Sequence, residues 1–207
     1  MLKTKNKFDL ILGSQSPRRK ELLQWIYIPY KIITSGIEEL STETNVEDLV
    51  MDLASQKAQD VFEKAMKSYN NPFVIGADTI VVVDDEVLGK PKSLDDAKKM
   101  LKQLAGRSHI VLTGVTFRSQ NIDFSFFDKT EVHFDAVDDS LLDLYLDTKD
   151  SLDKAGSYGI QGAALGFISK INGSYSNVVG LPVNLVLQNM KEILNLNEKE
   201  LRDAFND

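Results

Sequence analysis

The chain has 207 residues, of which 43% are hydrophobic and 27% are charged, as in an ordinary globular protein. It contains no cysteine and only two histidines, which excludes disulfides, cysteine nucleophiles, iron–sulfur clusters and histidine-rich metal sites. The formal net charge of −7 disfavours a nucleic-acid polymer as partner, and no apolar run approaches the ~20 residues that span a bilayer. We therefore expect a cytoplasmic protein that binds neither nucleic acid nor membrane.

Hydrophobic periodicity and turn residues divide the chain into alternating strands and helices. The predicted strands are 8–13, 27–35, 73–83, 86–88, 109–118 and 122–134, with a further hairpin of 167–171 and 175–178 around the Asn172-Gly173 turn. The predicted helices are 17–25, 45–66, 93–106, 139–146 and 182–194. Ser16 is the predicted N-cap of the first helix, and Thr44 with Glu47 forms a capping box for the second. The alternation predicts an α/β fold with a mixed sheet.

The segment Gly13-Ser14-Gln15-Ser16-Pro17-Arg18-Arg19 connects the first predicted strand to the first helix. It brings together small residues, hydroxyls, the backbone N–H groups of a helix start and two guanidiniums, which suit phosphate oxygens. Arginine in a first helical turn opposes the helix dipole unless an anion compensates. The same pattern also fits a capped surface helix with two solvated arginines.

Asp78 is the most unusual residue of the chain, because it stands inside the apolar run 73–83. An unpaired carboxylate in a buried strand is costly. Such a residue is usually a metal ligand, an acid–base group or one partner of a buried ion pair. The alternative is an aspartate that caps a turn at the end of a strand.

Three lysines and one glycine-rich segment complete the candidate features. Lys57 shares the apolar stripe of the second helix, so it either snorkels to solvent or reaches an anion. Lys90 and Lys92 flank a proline just after a strand, where each alone also fits a solvated lysine. Residues 154–190 contain no acid and six of the twelve glycines, which suits close approach of the backbone to an anionic ligand.

Six segments, in order and over nearly the whole chain, resemble the Maf family of septum-formation-inhibitor-like nucleoside triphosphate pyrophosphatases. They are LGSQSPRRKELL at 12–23, GADT at 76–79, LGKP at 88–91, LAGRSH at 104–109, LDKAGSYGIQG at 152–162 and GLP at 180–182. The resemblance implies a Maf/ITPase-like α/β protein, in which an elongated mixed β-sheet flanked by helices forms two lobes around a nucleotide-binding cleft. We expect one such domain over 1–196 and a polar C-terminal tail over 197–207.

The family resemblance also implies an activity and a set of site residues. The activity is hydrolysis of a nucleoside triphosphate at the α–β bond, with Mg²⁺ or Mn²⁺ as the divalent metal. The implied catalytic residues are Asp78, Lys57, Lys90 and Glu39, with Asp78 and Glu39 also as metal ligands. The implied substrate-binding and specificity residues are Arg18, Thr79, Gln161, Ser14 and Ser16. Glu38 stays open as an alternative to Glu39.

Thr79 and Gln161 resemble the branch of the family that cleaves dTTP and UTP, so these nucleotides are the expected substrates, with modified pyrimidine nucleotides as further candidates. Three alternatives remain: a pyrophosphatase for methylated GTP, a cell-division regulator that acts by binding, and a generic nucleotide or phosphosugar binder. Family precedent also suggests a homodimer.

Overall fold

The computed structural model describes residues 7–205 of the chain. The strands are β1 (Asp9–Leu12), β2 (Lys31–Ile32), β3 (Pro72–Val83), β4 (Glu86–Leu88), β5 (Ser108–Arg118), β6 (Asp123–Phe134) and β7 (Ile168–Asn172). The α-helices are α1 (Pro17–Gln24), α2 (Val46–Ala65), α3 (Leu94–Leu104), α4 (Asp139–Asp147), α5 (Tyr175–Val179), α6 (Val183–Leu194) and α7 (Glu198–Phe205). Two 3₁₀ helices, Ala155–Ser157 and Ala163–Gly166, lie between α4 and β7.

The strands form one mixed sheet in the order β2-β1-β3-β5-β6-β7, with β4 paired to β3. Strand β1 runs parallel to both of its neighbours, and Leu12 lies opposite Ile32 on β2 and Ile75 on β3. Strands β4 and β7 are antiparallel to β3 and β6. The predicted α/β fold with a mixed sheet is confirmed. Within residues 7–205, no helix is both long and apolar enough to cross a membrane.

The chain divides into two compact units. The first unit takes its residues from 1–78, 114–127 and 180–207, and the second takes 79–113 and 128–179. In the first unit, α2 packs its buried Ala58 and Val61 against Ile11 and Val74 of β1 and β3. The core of the second unit contains the rings of Phe134, Tyr145, Tyr158 and Phe167 in edge-to-face contact.

Helix α2 lies close to β3 and β5 because both strands carry a glycine beneath it. A Cβ atom built on Gly76 would lie 2.7 Å from the carbonyl oxygen of Ala54 and the amide nitrogen of Ala58. A Cβ atom on Gly114 would lie 2.2 Å from the carbonyl oxygen of Val50. Side chains at these two positions would collide with the backbone of α2, so the two glycines set its approach to the sheet.

Two predictions near the start of the chain are wrong in detail. The capping box of α2 does not form, because Asn45 is the N-cap and its Oδ1 accepts from the amides of Glu47 (2.8 Å) and Asp48 (3.1 Å). The predicted strand 27–35 shrinks to the two residues of β2, which pair only with Ile11 and Leu12 of β1.

The predicted hairpin of 167–171 and 175–178 is also wrong. Strand β7 pairs with β6, and the second half of the predicted hairpin is the helix α5. The Oγ of Ser174 accepts from the amide of Asn177 (3.3 Å), as a residue at a helix start does. The side chain of Asn177 is buried and bonded to Val111 and Thr130, so contacts distant in the sequence select the helix.

The expectation of a polar tail after residue 196 does not hold for the described part of that segment. Helix α7 buries Leu201, Ala204 and Phe205. The Phe205 ring lies 5.5 Å from the rings of both Phe8 and Phe73, and the Phe8 amide donates to the carbonyl oxygen of Ala204. The segment is therefore part of the first unit's core, while residues 206 and 207 lie outside the described residues.

Candidate active site

Asp78 is paired with a lysine inside the first unit. Eleven of the twelve residues of β3 are buried, and Asp78 is among them with 9% of its surface exposed. The Nζ of Lys57 donates to Asp78 Oδ1 at 2.6 Å. Of the roles open to a carboxylate in an apolar strand, the structure shows the buried ion pair, which offsets part of the cost of burying the charge.

The same lysine contacts a second carboxylate. Glu39, in the loop between β2 and α2, places its Oε1 2.9 Å from Lys57 Nζ. The side chains of Lys57 and Asp78 are each 13% exposed, while that of Glu39 is 43% exposed. One face of this carboxylate–lysine–carboxylate cluster therefore reaches solvent, where a ligand can approach.

The close packing of α2 explains why Lys57 turns inward. Its neighbours Ala54 and Ala58 are fully buried against Gly76. The side chain of Lys57 therefore begins close to the sheet at Gly76, and Asp78 lies two residues further along β3. Of the two alternatives for Lys57, snorkelling or reaching an anion, the structure shows the second.

The donor set for a divalent metal is small. Asp78 and Glu39 direct oxygens toward one point, now taken by the ammonium of Lys57. Within residues 7–205 there is no group of three or more His, Cys, Asp or Glu side chains placed to hold a metal. Two carboxylates match what Mg²⁺ takes from protein when substrate phosphates and water supply its other ligands.

The serines before α1 are engaged in local hydrogen bonds. Ser16 is the N-cap, as predicted, and its Oγ accepts from the amide of Arg19 at 3.5 Å. The Oγ of Ser14 accepts from the amide of Ser16 at 3.2 Å. These bonds order the turn, and Arg18 lies half-buried in the first turn of the helix that follows it.

Arg19 connects α1 to two other segments of the first unit. Its Nε donates to the carbonyl oxygen of Gly180 at 2.7 Å, and its Nη1 donates to that of Ala77 at 2.9 Å. Burial lowers the pKa of Arg19, and the nearby charge of Asp78 opposes that shift. The sequence pattern grouped both arginines as anion ligands, but Arg19 fixes the residue that precedes Asp78.

The other predicted site residues belong to the second unit. The Oγ1 atoms of Thr79 and Thr113 lie 3.0 Å apart. Lys90 is exposed just after β4, and Gln161 is exposed in the loop between the two 3₁₀ helices. The structure thus assembles Asp78, Lys57 and Glu39, whereas Thr79, Lys90 and Gln161 occupy three separate elements.

A buried lysine that the sequence analysis did not single out lies against the chain just before Gln161. Lys154 is 8% exposed, and its Nζ lies 2.6 Å from Asp150 Oδ1 and 2.7 Å from Asp153 Oδ1. A Cβ atom on Gly159 would lie 2.6 Å from Lys154 Cε. The signal was present in the sequence, because Lys154 follows the acid-rich segment 135–153 and opens the acid-free one.

The mixed α/β fold and the partly exposed carboxylate–lysine–carboxylate cluster define an α/β protein with a candidate site for a charged substrate. The family model described as Maf-like protein matches residues 9–193, so the chain belongs to the Maf-like family and the resemblance is confirmed.

Several relatives share more than two fifths of the aligned residues with this chain. The dTTP/UTP pyrophosphatase of Bacillus cytotoxicus is 44% identical over 183 residues, which cover 88% of this chain and 94% of that protein. The protein of the same name from Bacillus velezensis is 46% identical over 88% of this chain and 95% of that protein. The one from Alkaliphilus oremlandii is 45% identical over 89% of this chain and 97% of that protein. A solved HAM1 protein from Coxiella burnetii is 14% identical with a TM-score of 0.43, over 61% of this chain and 73% of that chain.

Proposed function

We propose that this chain hydrolyses dTTP and UTP at the α–β bond, giving the nucleoside monophosphate and pyrophosphate. The observation that carries the proposal is the cluster in which Lys57 Nζ lies 2.6 Å from Asp78 and 2.9 Å from Glu39. The names of the relatives, at 44–46% identity over most of the chain, support the substrates.

Cleavage of a phosphoanhydride requires positive charge for the phosphates and a group that orients or deprotonates the attacking water. Asp78 is the proposed acid–base group, because its carboxylate is fixed on a buried strand and the same cluster reaches solvent at Glu39. Lys57 fixes the position of the Asp78 carboxylate and offers an ammonium to a phosphate oxygen. Arg18 and the first backbone amides of α1 are the proposed phosphate ligands of the loop before that helix.

The proposed metal is Mg²⁺ or Mn²⁺. Asp78 and Glu39 would hold it together with phosphate oxygens of the substrate, since residues 7–205 offer no third ligand of the usual types beside them. When bound, the ion would offset negative charge on the phosphate oxygens. Lys57 would then exchange part of its contact with the carboxylates for contact with the substrate.

The proposed roles in the second unit follow the family pattern. Lys90 would bind phosphate, and Thr79 and Gln161 would read the pyrimidine base. A hydroxyl and a side-chain amide together offer both donors and acceptors, as the hydrogen-bonding edge of uracil or thymine requires. A homodimer and a cytoplasmic location remain predictions, and light scattering of the purified chain tests the first.

A panel of nucleoside triphosphates tests the proposal, with Mg²⁺, with Mn²⁺ and with a chelator present. It includes dTTP, UTP, CTP, ATP, GTP and methylated GTP, and both monophosphate and pyrophosphate are quantified. We expect the highest kcat/KM for dTTP and UTP, equal amounts of the two products, and no turnover with chelator. Release of orthophosphate would contradict the bond assignment, and a preference for methylated GTP would contradict the substrate assignment. Absence of any hydrolysis would favour a regulator that acts by binding.

A further inference from the structure

Lys154 is a buried lysine whose ammonium is occupied by its own segment of the second unit. It is 8% exposed, and its Nζ donates to Asp150 Oδ1 at 2.6 Å, to Asp153 Oδ1 at 2.7 Å and to the main-chain carbonyl oxygen of Asp150. An ammonium group has three donors and no acceptor, so these three bonds use it completely. The charge of Lys154 is therefore compensated without a phosphate, which distinguishes it from a lysine that binds substrate.

The bonds of Lys154 close a turn of the chain. Asp150 lies three residues after the end of α4, and Lys154 directly precedes the 3₁₀ helix Ala155–Ser157. The ammonium reaches back over four residues to both the carboxylate and the carbonyl oxygen of Asp150. One side chain thus joins the two ends of the turn, and its removal would release both.

The same two side chains lie against the backbone on both sides of Gln161. A Cβ atom on Gly159 would lie 2.6 Å from Lys154 Cε and 3.7 Å from Asp150 Oδ2. A Cβ atom on Gly162 would lie 3.2 Å from the same oxygen of Asp150. The segment 159–162 therefore packs on the Asp150–Lys154 pair both before and after Gln161.

The residues just before Gln161 are anchored in the core. Tyr158 and Ile160 are 5% and 4% exposed, and the hydroxyl oxygen of Tyr158 lies 2.7 Å from His109 Nε2. Gln161, the next residue along the chain, is exposed. An accessible amide side chain on a backbone held by surrounding groups is the arrangement that precise recognition of a ligand requires.

We infer that Lys154 and Asp150 are positioning residues for Gln161, and that they act through the backbone of 159–162 without touching the substrate. Misplacing a recognising group by about 1 Å can cost about 100-fold in rate, even when the substitution lies far from the chemistry. Loss of the Asp150–Lys154 pair should therefore be visible in the kinetics. The inference rests on the proposed function, because it assumes that Gln161 meets the pyrimidine base.

The first test is Lys154→Met, which keeps an apolar stem and removes the ammonium. We expect kcat/KM for UTP to fall by at least about tenfold in the folded protein. The loss should lie mainly in a higher KM, because the base is remote from the bond that breaks and its contacts form before the reaction. An unchanged kcat/KM would overturn the inference, and so would a loss confined to kcat.

A double-mutant cycle separates a positioning role from a general effect on the fold. Gln161→Ala removes the side chain that Lys154 is inferred to position, so in that background Lys154→Met should lower kcat/KM by no more than about twofold. A merely structural lysine would lower it equally with and without Gln161. Multiplicative effects of the two substitutions, or full activity of Gln161→Ala, would overturn the inference while leaving UTP hydrolysis intact. Failure of the wild type to hydrolyse UTP would instead contradict the proposed function.

Lys102→Met is the matched control. It removes an ammonium that lies 2.7 Å from Asp139 Oδ1 in the same unit, and it should leave kcat/KM for UTP unchanged. A loss in Lys102→Met as large as that in Lys154→Met would show that breaking any ion pair of the second unit has this effect, and would overturn the inference.

Asp150→Asn makes the test independent of whether Lys154→Met folds, because it keeps the size of the side chain and the main-chain carbonyl. The Asp150 side chain is 42% exposed, so the change is mild. Amide hydrogen exchange of residues 159–162 should become about two- to fivefold faster, the range set by a partly exposed ion pair, and KM for UTP should rise by a similar factor. Wild-type exchange rates and KM in Asp150→Asn would overturn the inference.

Discussion

Lys57 Nζ on α2 lies 2.6 Å from Asp78 Oδ1 on β3, although 21 positions separate the two residues in the sequence. Glu39 lies 2.9 Å from the same nitrogen and is more exposed than either. Lys57 therefore contacts two carboxylates, whereas Asp78 contacts one ammonium and has the charge of Arg19 nearby. Substitution of the lysine and substitution of the aspartate should have different effects on stability.

Asp78→Asn should lower turnover by at least about 100-fold, the scale for losing a positioned acid–base group. A buried charge that loses its partner costs about 3–5 kcal/mol. The free energy of unfolding should fall by less than this, because Lys57 still contacts the carboxylate of Glu39. Pyrophosphate release and urea unfolding measure the two effects. Asp60→Asn, which breaks the Lys64–Asp60 pair (2.8 Å) on the same helix, should leave turnover unchanged. Near-normal turnover of folded Asp78→Asn would refute the catalytic role.

Lys57→Met should be the more destabilising change, because it removes the cation in direct contact with the buried Asp78 and leaves Arg19 as the nearby positive charge. We expect a loss of about 3–5 kcal/mol in the free energy of unfolding near neutral pH. The double variant Lys57→Met/Asp78→Asn should regain part of that stability and none of the turnover. Urea unfolding of the single and double variants checks this. A double variant no more stable than Lys57→Met would show that charge burial is not the cause.

Arg18→Ala should mainly affect substrate binding, whereas Arg19→Ala should mainly affect the stability of the fold. Arg18→Ala should raise KM for UTP and change the free energy of unfolding by no more than about 1 kcal/mol, the upper range for a partly exposed charge. Arg19→Ala removes the donor to the Ala77 and Gly180 carbonyl oxygens, and should cost roughly 3–6 kcal/mol, from two hydrogen bonds to a charged group at about 1.5–3 kcal/mol each. Thermal unfolding and substrate titrations distinguish the two. Equal stability of the two variants would contradict the structural role of Arg19.

His109 should make the protein less stable in acid. It is 2% exposed, its Nε2 lies 2.7 Å from the hydroxyl oxygen of Tyr158, and burial lowers its pKa to about 4. An unfolded histidine has a pKa of about 6.5, so between these values the unfolded chain binds a proton that the folded chain does not. Stability is therefore lost as the pH falls from about 6.5 toward 4, by up to about 3 kcal/mol.

His109→Gln should remove this part of the pH dependence. Urea unfolding of the wild type and of the variant at several values between pH 7.5 and 4.5 provides the measurement. The difference between their unfolding free energies should narrow or reverse as the pH falls, because only the wild type carries the penalty. Parallel curves over the whole range would show that His109 does not cause the acid sensitivity.

Gly76→Ala should affect both stability and activity. The added Cβ would lie 2.7 Å from backbone atoms of α2, which cannot move without moving the helix, and overpacking of this kind costs about 1–3 kcal/mol. The shift would also change the distance between Lys57 and Asp78, so kcat should fall in the folded fraction. Gly166→Ala is the control, since nothing lies within 4 Å of its Cβ position. Equal melting temperatures for the two variants would contradict this account.

The sequence by itself determined the elements whose signals are local. Ser16 caps α1, as predicted, and Ser93, the first residue of the predicted helix 93–106, caps α3, because a capping side chain bonds to amides two or three residues away. The apolar run 73–83 predicted β3 nearly to the residue, and the carboxylate within it identified Asp78 as a group that needs a partner.

Only the tertiary structure decided which groups meet. The sequence left two roles open for Lys57, predicted a strand where α5 forms, and treated the last helix as a tail. Each outcome depends on a contact between distant residues: Lys57 with Asp78, Asn177 with Val111, and Phe205 with Phe8. Propensity and capping act over a single turn, whereas burying a charge, an amide or a ring gains free energy only once folding supplies its partner.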